Sequence, residues 1–171
     1  MGALCKVVDA ALLVFFAVVA VVAPLIDGQT CLPVDYFPPF VVELKRWYAH
    51  EYGDYLVSEK PHFFVGLVWL ELLFQWPLAL LSVYAIAAGK PWFATTSLMY
   101  GASTVTSMVA ILTELSLSNR ASDKLLQMYF PFLGFAIVAL LRGLLSLSSP
   151  CSDKNIIIGK RPAVLSRKKR A

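Results

Sequence analysis

Histidine and cysteine are scarce in this 171-residue chain. The only histidines, His50 and His62, belong to no HExxH zinc helix, and neither a GxSxG elbow nor a glycine-rich phosphate loop occurs. Both histidines read as polar surface residues rather than general bases. The three cysteines, Cys5, Cys31 and Cys151, lack CxxC spacing, which argues against a metal site or a disulfide framework. Cys31 is equally compatible with a free thiol and with pairing on an oxidising side. No cofactor is expected. Charge is also sparse: 15% of residues are charged and 58% hydrophobic, where soluble domains average about 25% and 45–50%. An ordinary soluble domain is therefore excluded. Of the basic residues behind the net charge of +4, Lys154, Lys160, Arg161, Arg167, Lys168, Lys169 and Arg170 all follow Asp153. The rest of the chain is close to balanced, so nucleic acid is not an expected partner.

What the chain does have is long apolar runs, at about Val7–Ile26, His62–Ala88, Trp92–Leu112 and Leu125–Leu147. Each approaches or exceeds the roughly 20 residues a helix needs to cross a bilayer. None alternates as a barrel strand would, so the expected fold is an all-α membrane protein, a four-helix transmembrane bundle. The first run has Asp9 near its start and no clear small-residue cleavage site before Asp27, and reads as a helix rather than a signal peptide. The basic tail sets orientation: it belongs in the cytosol, and four crossings bring the N-terminus to the same side. The segment between the first two helices then faces the lumen. Within it, Val41, Leu44, Trp47, Tyr48 and Tyr52 recur at spacings of three and four. With Pro38 and Pro39 before and Gly53 after, they predict a short amphipathic helix folded over the bundle mouth as a lid.

Glu71 interrupts the second run. A charge at mid-membrane costs roughly 2.5–3.5 kcal/mol on insertion scales, so such a residue usually faces a bundle interior or cavity and has a partner. Gln75 follows at i+4, on the same face of an α-helix. Asp27, at the end of the first helix, comes within reach if the first two helices are neighbours. Two adjacent carboxyls do not both ionise easily; a protonated Glu71 donating to an ionised Asp27 would suit a cationic or hydroxyl-bearing ligand. The bland readings are a helix-end acid for Asp27, an interhelical hydrogen bond for Glu71 and a solvated loop acid for Asp54. Tyr100, Ser103, Thr104, Thr106 and Ser107 on the third helix read equally as interhelical glue or as pocket lining. Pro24, Pro77 and Pro131 mark expected kinks.

The segments PLIDGQTCLP, LKRWYAHEYGDYLV, WLELLFQWP, YGASTVTSMVAIL and MYFPF, in this order and spacing over about residues 20–135, resemble the EXPERA-domain membrane proteins. The resemblance is to a plant-type member of the sigma-2-receptor-like branch. It implies an EXPERA-like domain at residues 1–150; it does not cover residues 151–171, which their low apolar content and basic charge mark as a flexible cytosolic tail. It implies an endoplasmic-reticulum bundle, usually a homodimer, with an occluded pocket for sterols and hydrophobic amines. Residue by residue, it makes Asp27 the acid that pairs with a ligand amine, Glu71 its hydrogen-bonding neighbour and Asp54 the supporting loop acid. Trp47, Gln75, Ser107, Tyr129 and Phe132 become lining positions. Ser107 and Phe132 stand where the family pattern has threonine and tyrosine, which puts ligand preference in question. The sterol isomerases of the same superfamily pair a histidine with the glutamate four residues later. Leu67 holds that histidine place here, and no acid lies between Trp92 and Leu112, so a binding protein is expected rather than an enzyme. A membrane interaction or chaperone protein without a ligand is the remaining alternative. Lys168 and Lys169 fit a dilysine endoplasmic-reticulum retrieval tail.

Overall fold

The computed structural model describes residues 2–148, and all regular structure within them is helical. The proposed tail, with Lys168 and Lys169, lies outside the described residues. Helix α1 spans Gly2–Leu25 and gives way to a tight 3₁₀ turn at Asp27–Thr30. Helices α2 (Pro39–Tyr52) and α3 (Tyr55–Glu59) follow. Helix α4 (His62–Leu70) runs through a wide π-turn at Glu71–Gln75 into α5 (Trp76–Ala87). Helices α6 (Phe93–Leu117) and α7 (Asp123–Ser148) complete the chain. Four stretches, Leu4–Thr30, His62–Ala87, Phe93–Leu117 and Asp123–Leu147, are long and apolar enough to cross a membrane. The chain is thus an all-α membrane bundle. Its outward leucines and valines stay uncovered, Leu73 being 72% exposed, as lipid-facing residues do.

Around the bundle α1 packs on α5 and α7, α5 on α6, and α6 on α7. One half is solid. Leu12, Phe15, Phe16, Leu78, Phe93 and Tyr100 fill it, and the Phe15 ring stacks on Phe135 at 4.7 Å. At that end Arg142 makes a two-pronged ion pair with Asp9, Nε to Oδ1 at 2.7 Å and Nη2 to Oδ2 at 3.0 Å, and also donates to Ser146. A guanidinium fork held by a carboxylate satisfies both charges where water is sparse. Asp9→Asn is expected to cost about 2 kcal/mol, less than the ~3–5 kcal/mol for a fully buried pair because both side chains keep some exposure. Thermal unfolding in detergent checks this, with Asp9→Asn/Arg142→Gln expected to recover part of the loss.

The prolines act differently from one another. Pro24 falls in the last turn of α1, and α7 continues through Pro131. Only Pro77 coincides with a change of winding: having no N–H it cannot extend the ladder, and the Trp76 N–H reaches back five residues to the Glu71 carbonyl. The third crossing runs five residues beyond the expected Leu112, because Leu115 is buried against the bundle. Helix α7 starts at Asp123, where the Ser122 hydroxyl caps the Leu125 N–H at 3.1 Å.

Helix α2 begins with Pro39 as its first residue and ends at Gly53, whose φ of 63° is the left-handed conformation that glycine adopts without strain. Its inward face differs from the expected stripe. Leu44 and Trp47 are 49% and 57% exposed, while Lys45 is buried at 7% beside Val41. The reason is the end of α1, whose last carbonyls need donors. Lys45 Nζ donates to the Ile26 carbonyl at 2.8 Å and to Thr30 Oγ1 at 2.7 Å. Gln29 Nε2 donates to the Leu25 carbonyl, and Lys60 Nζ to the Gln29 carbonyl.

Candidate functional site

Beyond the solid half, the helices part around a cavity of about 370 Å³. Residues from Val18 to Asp27, Phe64 to Gln75, Tyr100 to Ile111 and Met128 to Phe132 line it, and Leu44, Lys45, Trp47 and Tyr48 of α2 close one side. The walls are mostly aliphatic and aromatic, with a few polar groups. Small-molecule sites combine these features in volumes of roughly 300–1,000 Å³.

Asp27 opens the 3₁₀ turn just after α1, and Glu71 opens the π-turn; both carboxyls face this space. Each feels the other's field or that of a neighbouring charge: Asp27 acts on Glu71, and Lys45 acts on Asp27. Gln75, at the far end of the π-turn, donates from Nε2 to Ser103 Oγ at 3.0 Å and Ser107 Oγ at 3.3 Å. The third helix therefore divides its hydroxyls. Tyr100, Thr104 and Ser107 line the cavity, Ser103 serves as Gln75's partner, and Thr106 bonds back to the Ala102 carbonyl. Thr104 Oγ1 is buried without a hydrogen bond of ordinary geometry, although the Tyr100 phenol one turn before lies close enough to act on it.

Seven of the residues singled out in the sequence, Asp27, Glu71, Gln75, Trp47, Ser107, Tyr129 and Phe132, border this cavity. Asp54 does not. It is fully buried behind the wall, where Oδ1 caps α3 by accepting from the Leu56 and Val57 N–H groups at 3.1 and 3.2 Å. Its Oδ2 accepts from Tyr129 Oη at 2.9 Å and Tyr48 Oη at 3.4 Å. Asp54 is therefore neither a solvated loop acid nor a lining group; it aims two lining phenols. Burial, reinforced by the Asp54 charge, pushes the Tyr48 phenol well up, which keeps it a neutral donor.

Lys45 is the lining residue the sequence reading passed over. Lysines are rarely buried, and the apolar stripe drew the eye to Leu44 and Trp47. Its spacing was the available signal: four after Val41 and seven before Tyr52, on the stripe that turns inward. Burial holds its ammonium down to about 8, partly opposed by attraction to Asp27 and assisted by repulsion from Lys60. Cys31 points its thiol at the Val65 carbonyl, 3.7 Å away, and is a free thiol, as is Cys5. His62 starts α4 on the surface, and His50 borders a second, shallower hollow. Among the described residues no group of His, Cys, Asp or Glu is arranged to hold a metal ion.

A model of the EXPERA family (EXPanded EBP superfamily) matches residues 40–143. Curated proteins named Sigma intracellular receptor 2 from Homo sapiens and from Macaca fascicularis are each 34% identical over 87 residues, covering 50% of this chain and 49% of theirs. That of Xenopus tropicalis is 29% identical over 89 residues, 52% of each chain. The chain spans about half the length of the curated relatives it matches.

Proposed function

Because this chain belongs to the EXPERA family, we propose that it is a sterol- or lipid-binding protein of the endoplasmic reticulum membrane. It holds a sterol or a hydrophobic amine in its intramembrane cavity, takes part in sterol distribution, and catalyses nothing. The observation that carries this reading is the pair of carboxyls, Asp27 and Glu71, facing an otherwise apolar space of about 370 Å³ between membrane-crossing helices. Apolar walls take the body of the ligand and the acids fix one polar head, Asp27 being the acid for an amine. Trp47, Gln75, Ser107, Tyr129 and Phe132 shape the space, and Asp54 supports it through the two phenols. The relatives' name, a receptor, supports binding over turnover. So does the lining: Leu67, an apolar side chain, borders the cavity, and the polar groups that α6 brings to it are hydroxyls, of Tyr100, Thr104 and Ser107. A proton shuttle needs groups that accept and return a proton within reach of the substrate. With the tail in the cytosol, both termini lie on that side and the cavity opens in the lumenal half. A homodimer, residues 1–150 as the membrane domain and 151–171 as a basic tail with Lys168 and Lys169 for retrieval complete the proposal.

The test is saturable binding of a radiolabelled sterol and of a hydrophobic amine to the purified protein in detergent. Asp27→Asn is expected to weaken the amine by about 30- to 100-fold, the worth of one desolvated charge pair at roughly 2–3 kcal/mol, with unfolding temperature unchanged. Glu71→Gln is expected to weaken both ligands. Unchanged amine affinity in folded Asp27→Asn would sink the role of that acid. Conversion of a Δ8 sterol by the wild-type protein would make it an isomerase instead, and a folded protein that binds neither ligand would leave the bundle surface as its working part.

A further inference from the structure

Lys45 forms the partition between two spaces. On one side lies the cavity with Asp27 and Glu71; on the other lies the second hollow, which Arg46, His50 and Lys60 border together with Lys45 and to which no acid contributes. Its ammonium is not a wandering surface charge. Two of its three hydrogens are spent on the Ile26 carbonyl and Thr30 Oγ1, which bracket Asp27 in the chain. Asp27 is the strongest single charge acting on Lys45, and Lys45 the strongest acting on Asp27; Asp54 attracts Lys45 more weakly and Lys60 repels it. Even so, the two do not close into a salt bridge. Among the described residues neither the third ammonium hydrogen nor the Asp27 carboxyl oxygens have a hydrogen-bond partner.

We propose that Lys45 is a built-in counter-ion for Asp27 that sets the charge class of the occupant, so that the cavity favours a neutral hydroxyl-bearing sterol over a cationic amine of the same shape. This rests on the ligand-binding reading above and deepens it. A carboxylate beside an ammonium presents one acceptor and one donor. A hydroxyl meets both, donating to Asp27 and accepting from Lys45. A protonated amine has no lone pair to offer and must approach Lys45 as a like charge, where water cannot screen it; such juxtapositions cost several kcal/mol. With Lys45 held at about 8, it remains largely protonated at neutral pH. A pocket with two acids and no lysine would rank the ligands the other way.

The experiment uses the full chain in detergent at neutral pH, with a 3β-hydroxy sterol and the same skeleton carrying a 3β-amine as probes. The wild type is expected to bind the alcohol at least about tenfold more tightly than the amine, a difference of roughly 1.4 kcal/mol. Lys45→Met, of similar length without the charge, is expected to erase or invert that preference, and Lys45→Arg to keep it. Equal or tighter binding of the amine by the wild type overturns the proposal, and does so even if Lys45→Met fails to fold. An unchanged ratio in folded Lys45→Met overturns it as well. Binding of neither probe to folded wild type overturns the ligand-binding reading itself, and the counter-ion with it, which separates the two failures.

Discussion

Alanine in place of Asp54 is expected to lower the unfolding free energy by about 3 kcal/mol, summing a lost helix cap of ~1 kcal/mol and the cost of leaving buried phenols without an acceptor, ~1–3 kcal/mol. Four donors converge on this one carboxylate: the Leu56 and Val57 N–H groups, Tyr48 Oη and Tyr129 Oη. The side chain is wholly inaccessible, so water cannot replace it. Because Tyr129 comes from α7 and Tyr48 from α2, the change also loosens both walls of the cavity. Asp54→Asn keeps one carbonyl oxygen for capping and should lose less than half as much. Denaturation of the three proteins in detergent measures this; a loss below ~1 kcal/mol for the alanine variant would mean that the phenols find other partners.

The second large effect is expected at Gly101, and its sign runs against helix propensity. Alanine is favoured over glycine in a helix interior by about 1 kcal/mol. At Gly101, however, a methyl group would lie 2.8 Å from the Ala136 carbonyl oxygen and 2.8 Å from Leu140 Cα, both backbone atoms of α7. Backbone cannot turn aside, so α6 and α7 must separate along their extensive contact. We expect Gly101→Ala to destabilise the bundle by about 2 kcal/mol or more, within the range for overpacked sites. Gly134 supplies the control: nothing lies within 4 Å of where its methyl would sit, and Gly134→Ala should be neutral or mildly stabilising. Similar unfolding temperatures for both variants would show that α6 and α7 are not packed this closely.

The four crossings are legible in the sequence because an apolar run of that length has one stable solution in lipid. Helix α2 is legible because proline and glycine act through the backbone alone: Pro39 pre-sets the first turn and Gly53 takes the left-handed cap. The residues around the cavity are legible for a different reason, since Glu71 and Asp27 stand out against an apolar background. What escapes is set by partners distant in sequence. Lys45 is inward because the Ile26 carbonyl and the Thr30 hydroxyl, nineteen and fifteen residues earlier, take its hydrogens. Asp54 is buried because Tyr129 reaches it across 75 residues. The spacing of Glu71 and Gln75 suggests one α-helical face, yet the turn between them is wound wider by the missing N–H of Pro77. Each of these depends on a donor–acceptor balance that a local pattern does not carry.

The solid half of the bundle makes the cavity a blind alley. Phe15, Phe16, Phe93 and Tyr100 fill the interior below it, and the Asp9–Arg142 pair ties α1 to α7 beyond them. Of these four, Tyr100 borders the cavity, while Phe15, Phe16 and Phe93 do not. A ligand held as proposed would leave by the end it entered. Ions gain no route either, so reconstituted vesicles should hold their gradients however much protein they contain.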